Sequence, residues 1–81
     1  MSLYFFHLRD GRDFLLDPDG RLLDDLAQVI VAALSEARAL ISAEALTGRI
    51  KLNQRIEVED DKGRVVHRLN FWDAVEVTRP R

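Results

Sequence analysis

The chain has 81 residues, a formal net charge of −2, 47% hydrophobic residues and no cysteine. So short a chain makes one domain, 1–81, with a thin stability margin, because it buries only about 60% of the surface its unfolded form exposes. Disulfide staples and thiolate metal sites are excluded, and twelve Lys and Arg spread among fourteen acids create no field that attracts nucleic acid or an anionic membrane.

The N-terminus carries no basic region followed by an apolar one, so no secretory signal is expected and a cytoplasmic location is the default. Leu3 to Arg9 is the best strand in the chain. Alternation puts Tyr4, Phe6 and Leu8 on one face and Leu3, Phe5, His7 and Arg9 on the other. Asp10-Gly11 is a strong hairpin signal, after which Arg12 to Leu16 returns as a shorter strand. Asp17-Pro18-Asp19-Gly20 ends that strand, since proline withholds a ladder donor and glycine accepts a positive φ.

Asp24 to Thr47 reads as one long helix. Helix formers dominate it, neither proline nor glycine interrupts it, and apolar residues recur three and four apart. Leu26, Ile30, Ala33, Leu34, Ala37, Leu40 and Ile41 form the expected core-facing stripe. Asp25 and Gln28 have capping-box spacing, and Gly48 suits a left-handed helix end. Gln28, Ser35, Glu36, Arg38 and Ser42 interrupt the apolar run too often for a membrane span. At about 1.5 Å per residue such a helix runs about 36 Å, longer than a small four-stranded sheet can cover. Val31 falls among the polar residues of the opposite side, and Leu46 lies near them.

Beyond the connector Ile50 to Asn53, Arg55 to Glu59 alternates, with Ile56 and Val58 inward and Arg55, Glu57 and Glu59 outward. Asp60 to Gly63 turns the chain, and Arg64 to Asn70 returns. There Val65, His67 and Leu69 share one side and Val66, Arg68, Asn70 and Trp72 the other. Asn70 can cap a short turn, Phe71 to Ala74, before Val75 to Val77 extends and Thr78 to Arg81 frays. The outline is α+β: a two-layer ββαββ domain, an antiparallel sheet with one long helix on one face.

Candidate chemistry is sparse. A calcium loop with Gly20 at its sixth position would need carboxylates where Leu15 and Leu26 stand. His7 and His67, with Asp10, Glu57 or Glu59, lack metal-ligand spacing, so no metal is expected. No serine or threonine sits on a strand-to-helix elbow, and every glycine is explained by a turn or the helix end, so neither catalysis nor a cofactor is expected. What remains is surface. Phe5, His7, Arg9, Val66, Arg68 and Trp72 on the sheet face away from the helix, and Val31 on the helix, form the candidate interaction surface. A homodimer through it is the leading expectation. A nucleic-acid-binding regulator using Phe5, Arg9 and Arg68 is the alternative, which the acidic balance and Glu57 and Glu59 disfavour.

The motifs Tyr4-Phe5-Phe6-His7-x-Arg9-Asp10-Gly11, Asp17-x-x-Gly20 and Asp25-Leu26, with Arg55-Ile56-Glu57-Val58-x-Asp60-x-x-Gly63 and Phe71-x-Asp73-Ala74-Val75-Glu76-Val77, occur together here. In combination they resemble a family of short proteobacterial proteins known only as a domain of unknown function. The resemblance implies a small cytoplasmic α+β protein and brings no catalytic residues. The chain departs from it at Val29-Ile30-Val31, where relatives alternate alanine with charge, and at Asn70, where proline is usual. A fainter similarity, carried by Asp25-Leu26 and the alanines that follow, is to HicB-type antitoxins. It is a hint at the level of fold.

Overall fold

The computed structural model describes residues 1–80, so Arg81, the last residue of the expected frayed end, lies outside them. Among the described residues the elements are β1 (Ser2–Asp10), β2 (Asp13–Leu15), β3 (Arg21–Leu23), α1 (Leu26–Ala45), β4 (Gln54–Glu59), β5 (Val65–Asn70) and a 3-10 turn over Phe71–Asp73. They form one five-stranded antiparallel sheet in the order β2-β1-β4-β5, with β3 also on β1, and α1 against one face. The α+β, two-layer reading therefore holds, with one strand more than the sequence suggested.

Local chemistry explains the turns. Asp10 pairs with Asp13 across a loop of Gly11 and Arg12 in which Gly11 has φ 61°, as the first central residue of a type II′ turn does. At the second hairpin Asp60 donates its N–H to the Arg64 carbonyl at 2.9 Å. Its carboxylate accepts from the N–H groups of Lys62 and Arg64, and Gly63 takes the left-handed position.

The additional strand is the second half of an interrupted edge. Leu15 pairs with Leu8, and Arg21, Leu22 and Leu23 pair with Tyr4, Leu3 and Ser2. Between them the Asp17 side chain does a strand's work, accepting the Phe6 N–H at 3.1 Å. The same carboxylate accepts from the N–H groups of Asp19 and Gly20, and the Asp17 N–H donates to His7 Nδ1 at 3.0 Å. Gly20 is obligatory here. Its φ is 72°, and a Cβ would lie 3.0 Å from the Leu3 and Phe5 side chains and from the Tyr4 carbonyl.

The helix opens on Asp25, whose carboxylate accepts the Gln28 N–H at 2.9 Å; Gln28 returns a bond to the Asp24 N–H at 2.8 Å. It closes with Gly48 at φ 90° and the Arg49 N–H on the Glu44 carbonyl. Its length is about 30 Å by rise per residue, shorter than expected, yet β4 and β5, on which it packs, have six residues each and span about 20 Å, so its ends still reach beyond them. By length and composition alone α1 would suffice to cross a bilayer, a test that the core helix of a soluble protein also passes. Here it lies on β4 and β5, with Val29, Ala33 and Ala37 fully buried. Two of these are alanines, in one buried cluster with Phe71 and Ala74, and their small side chains suit a close approach of helix and sheet.

The core comprises Phe6, Val29, Ala33, Ala37, Ile56, Val58, Phe71 and Ala74. The expected stripe needs correction at its start: Leu26 is 49% and Ile30 44% exposed, and Val29 is the residue that points inward. With Val29-Ile30-Val31 in a row, several rotations of the helix offer an apolar face, and only packing selects among them. Beyond the 3-10 turn Val75 packs on the core, but no strand forms over 75–77. Asn70 occupies the N-cap position without a side-chain cap bond.

Candidate interaction surfaces

The sheet face away from α1 is built from the odd residues of β1 and their cross-strand partners. Phe5 faces Glu59, His7 faces Glu57, and Arg9 faces Arg55; on the far side Arg68 faces Glu57 and Asn70 faces Arg55. Phe14 stands opposite Arg9 on β2. Most of the residues read from the sequence as an outer surface are thus neighbours. Val66 is not among them. A bulge at Val58/Glu59 leaves it without an opposite partner and turns it onto the hydrophobic core, putting Val65 on the outer face instead. His7 and His67 lie on opposite faces, because His67 opposes Val58. Among the described residues no group of three or more His, Asp and Glu is arranged to hold a metal.

The middle of this face is charged, and the sequence did not announce how tightly. Glu57 is 6% exposed. Arg68 Nε donates to it at 2.9 Å, Arg55 Nη2 lies 3.3 Å from the same oxygen, and Arg9 Nη1 reaches the other at 3.4 Å. The hydrogen bond from Arg68 and the charges of Arg55 and Arg9 outweigh burial, so the carboxyl is held below its usual range. Alternation identified Glu57 only as outward. Its burial comes from three long guanidinium side chains closing over it, for which a lone strand carries no signal.

Beside this network His7 is equally buried. Accepting the Asp17 N–H at Nδ1 requires its proton to sit on Nε2, which lies 3.4 Å from Glu59. Its ring stacks on Phe5 with centroids 6.3 Å apart and meets Phe14 edge-on at 5.5 Å. The Arg9 guanidinium covers Phe14 at 5.0 Å. His7 therefore holds the Asp17 turn against the sheet and offers no free face.

Family comparison adds one positive finding. A family model for a domain of unknown function, DUF6894, matches residues 3–72. The chain belongs to the DUF6894 family. No match to it was found among curated proteins or among solved structures. The matched span of this DUF6894 chain runs from the start of β1 to Trp72, so it includes the charged sheet face, the Asp17 turn and the whole helix.

Two further features of the DUF6894 fold border this face or lie behind it. At the Asp10 end, Arg9, Arg55, Asn70, Trp72 and Asp73 line an open recess of about 460 Å³, with Trp72 60% exposed at its rim. On the other layer, α1 presents Leu26, Ile30 and Val31 to solvent, Val31 at 69%. No charged residue occurs from Leu26 to Ser35. Ala27 and Gln28 border the same flank beside Val31.

Proposed function

We propose that this DUF6894 protein is a non-enzymatic cytoplasmic module that works by binding protein, and that its first partner is a second copy of itself. The observation that carries the reading is the uncharged flank of α1. Leu26 and Ile30, four apart, share one side, and Val31 continues the exposed apolar surface round the helix towards Ala27, on an element that commits only Val29, Ala33 and Ala37 fully to its own core. Eight buried apolar residues among those described make a small core, and a two-fold pairing of these flanks would extend it. The sheet face is less suited to self-association than its sequence suggested, because three arginines and two glutamates already occupy its centre.

Four of the carboxylates are engaged in structural contacts. Asp10, Asp17, Glu57 and Asp60 are each held below the usual carboxylate range. For Asp10 the Lys51 ammonium leads, and for Glu57 the Arg68 guanidinium. For Asp60 the Arg64 N–H leads, and at Asp17 three N–H groups outweigh burial.

Light scattering at tens of micromolar tests the assembly. The expected mass is twice the 9.3 kDa of one chain, and Val31→Glu and Ile30→Glu return it to 9.3 kDa with the far-ultraviolet dichroism unchanged. A monomeric parent overturns the proposal. Phe5→Ser serves as the contrast: it leaves the mass doubled if the helix flank is the interface and reduces it if the sheet face is.

A further inference from the structure

We propose that the recess beside Arg9, Arg55 and Trp72 binds a free nucleotide, with the phosphate on the two guanidinium groups and the base on the indole. The arginines stand directly opposite one another in the β1–β4 ladder. Like charges at that position ordinarily weaken a sheet. Here both lean on Glu57, which also serves Arg68, so three guanidinium groups share one buried carboxylate. Its two oxygens cannot saturate fifteen or so N–H donors, at about five per guanidinium. Arg55 shows the shortfall, since its Nε is buried without a hydrogen-bond partner. An anion bridging Arg9 and Arg55 supplies acceptors to both and relieves their mutual repulsion, in the bidentate manner that suits phosphate.

Trp72 supplies the second half of the site. It follows the buried Phe71 on a 3-10 turn, so its backbone is fixed while its side chain stays exposed at the rim. Base on indole is a sequence-tolerant contact, and the Asn70 amide on the same wall offers a donor and an acceptor to a base edge. The volume lies within the roughly 300–1,000 Å³ of small-molecule clefts. Asp73 also lines the recess, and its carboxylate repels phosphate, which leaves the two guanidinium groups as the phosphate's partners. A mononucleotide is favoured over a nucleic-acid strand because the chain's net charge is −2 and offers a long polyanion no supporting field.

Trp72 is the single tryptophan of the chain, so fluorescence excited at the red edge, where Tyr4 does not absorb, reports on this site alone. Titration with AMP at low salt is expected to quench it saturably in the submillimolar range, with adenosine and inorganic phosphate each at least about tenfold weaker. Arg55→Gln is expected to weaken AMP at least about tenfold. Calorimetry on Trp72→Leu, an exposed position, is expected to lose adenine-dependent affinity and retain weak phosphate binding, which keeps the test independent of any folding defect at Arg55. The absence of saturable quenching by AMP overturns the proposal. So does tight binding of a short oligodeoxyadenylate with none of AMP, which would assign the site to single-stranded nucleic acid.

Discussion

Asp17 is the residue on which the edge of the sheet depends. Its carboxylate takes three backbone N–H groups and its own N–H caps His7, so one side chain ties the Pro18-Asp19-Gly20 turn to β1. Asp17→Ala is expected to cost about 1–3 kcal/mol in urea denaturation, and Asp17→Asn somewhat less, because the amide still accepts at one atom. Gly20→Ala is expected to cost at least about 1 kcal/mol, through its positive φ and a Cβ wedged against Leu3, Phe5 and Tyr4. Glu57 gives the domain an acid limit. Its folded-state pKa lies below the ordinary 4.5, as that of Asp17 lies below 3.8, so both groups bind fewer protons folded than unfolded. Their stabilisation is therefore complete above those ordinary values and is lost as pH falls through the lower, folded ones. The urea midpoint should fall below about pH 4.5, and Glu57→Gln should flatten that decline while lowering stability at pH 7 by about 1–3 kcal/mol.

At the scale of elements, what was legible followed from backbone chemistry. Positive φ at Gly11, Gly20, Gly48 and Gly63, the Asp25–Gln28 cap and the period-two pattern of β1 and β4 are local properties, and they appear where the residues imply. What was not legible depended on distant partners. Arg21-Leu22-Leu23 shows no alternation of its own and is a strand because the Asp17 clamp lays it on β1. Val29 rather than Ile30 faces inward because Ile56, Val58 and Phe71 wait there, and Val66 turns inward because of a bulge no residue type marks. The candidate surface was legible as a set of residues and illegible as a physical surface, since three of its arginines converge on one buried carboxylate. The close helix–sheet approach makes a clear expectation. Ala33→Leu should cost about 1–3 kcal/mol by overpacking, and Ala43→Leu on the exposed side should stay within about 0.5 kcal/mol.

The whole molecule is a thin slab, 46 × 26 × 18 Å, with a charged face on one side and an apolar helix flank on the other. If copies pair through the flank, stability becomes concentration-dependent. The thermal midpoint of the parent should then rise between micromolar and hundred-micromolar protein, and that of Val31→Glu should not. Nucleotide on the opposite face would leave this dependence intact, which separates the two proposals in one set of melting curves.

The position of β1 carries a consequence for how the chain reaches this state. Its partners on one edge follow almost at once, while Arg9 waits for Arg55 across the entire helix. Each hairpin can close early, and the step that joins them must bring together segments separated by α1. A helix formed beforehand shortens that span, so the cost of closing it falls. Strengthening α1 at an exposed site, as in Ser42→Ala, should therefore raise the folding rate in stopped-flow measurements more than it slows unfolding.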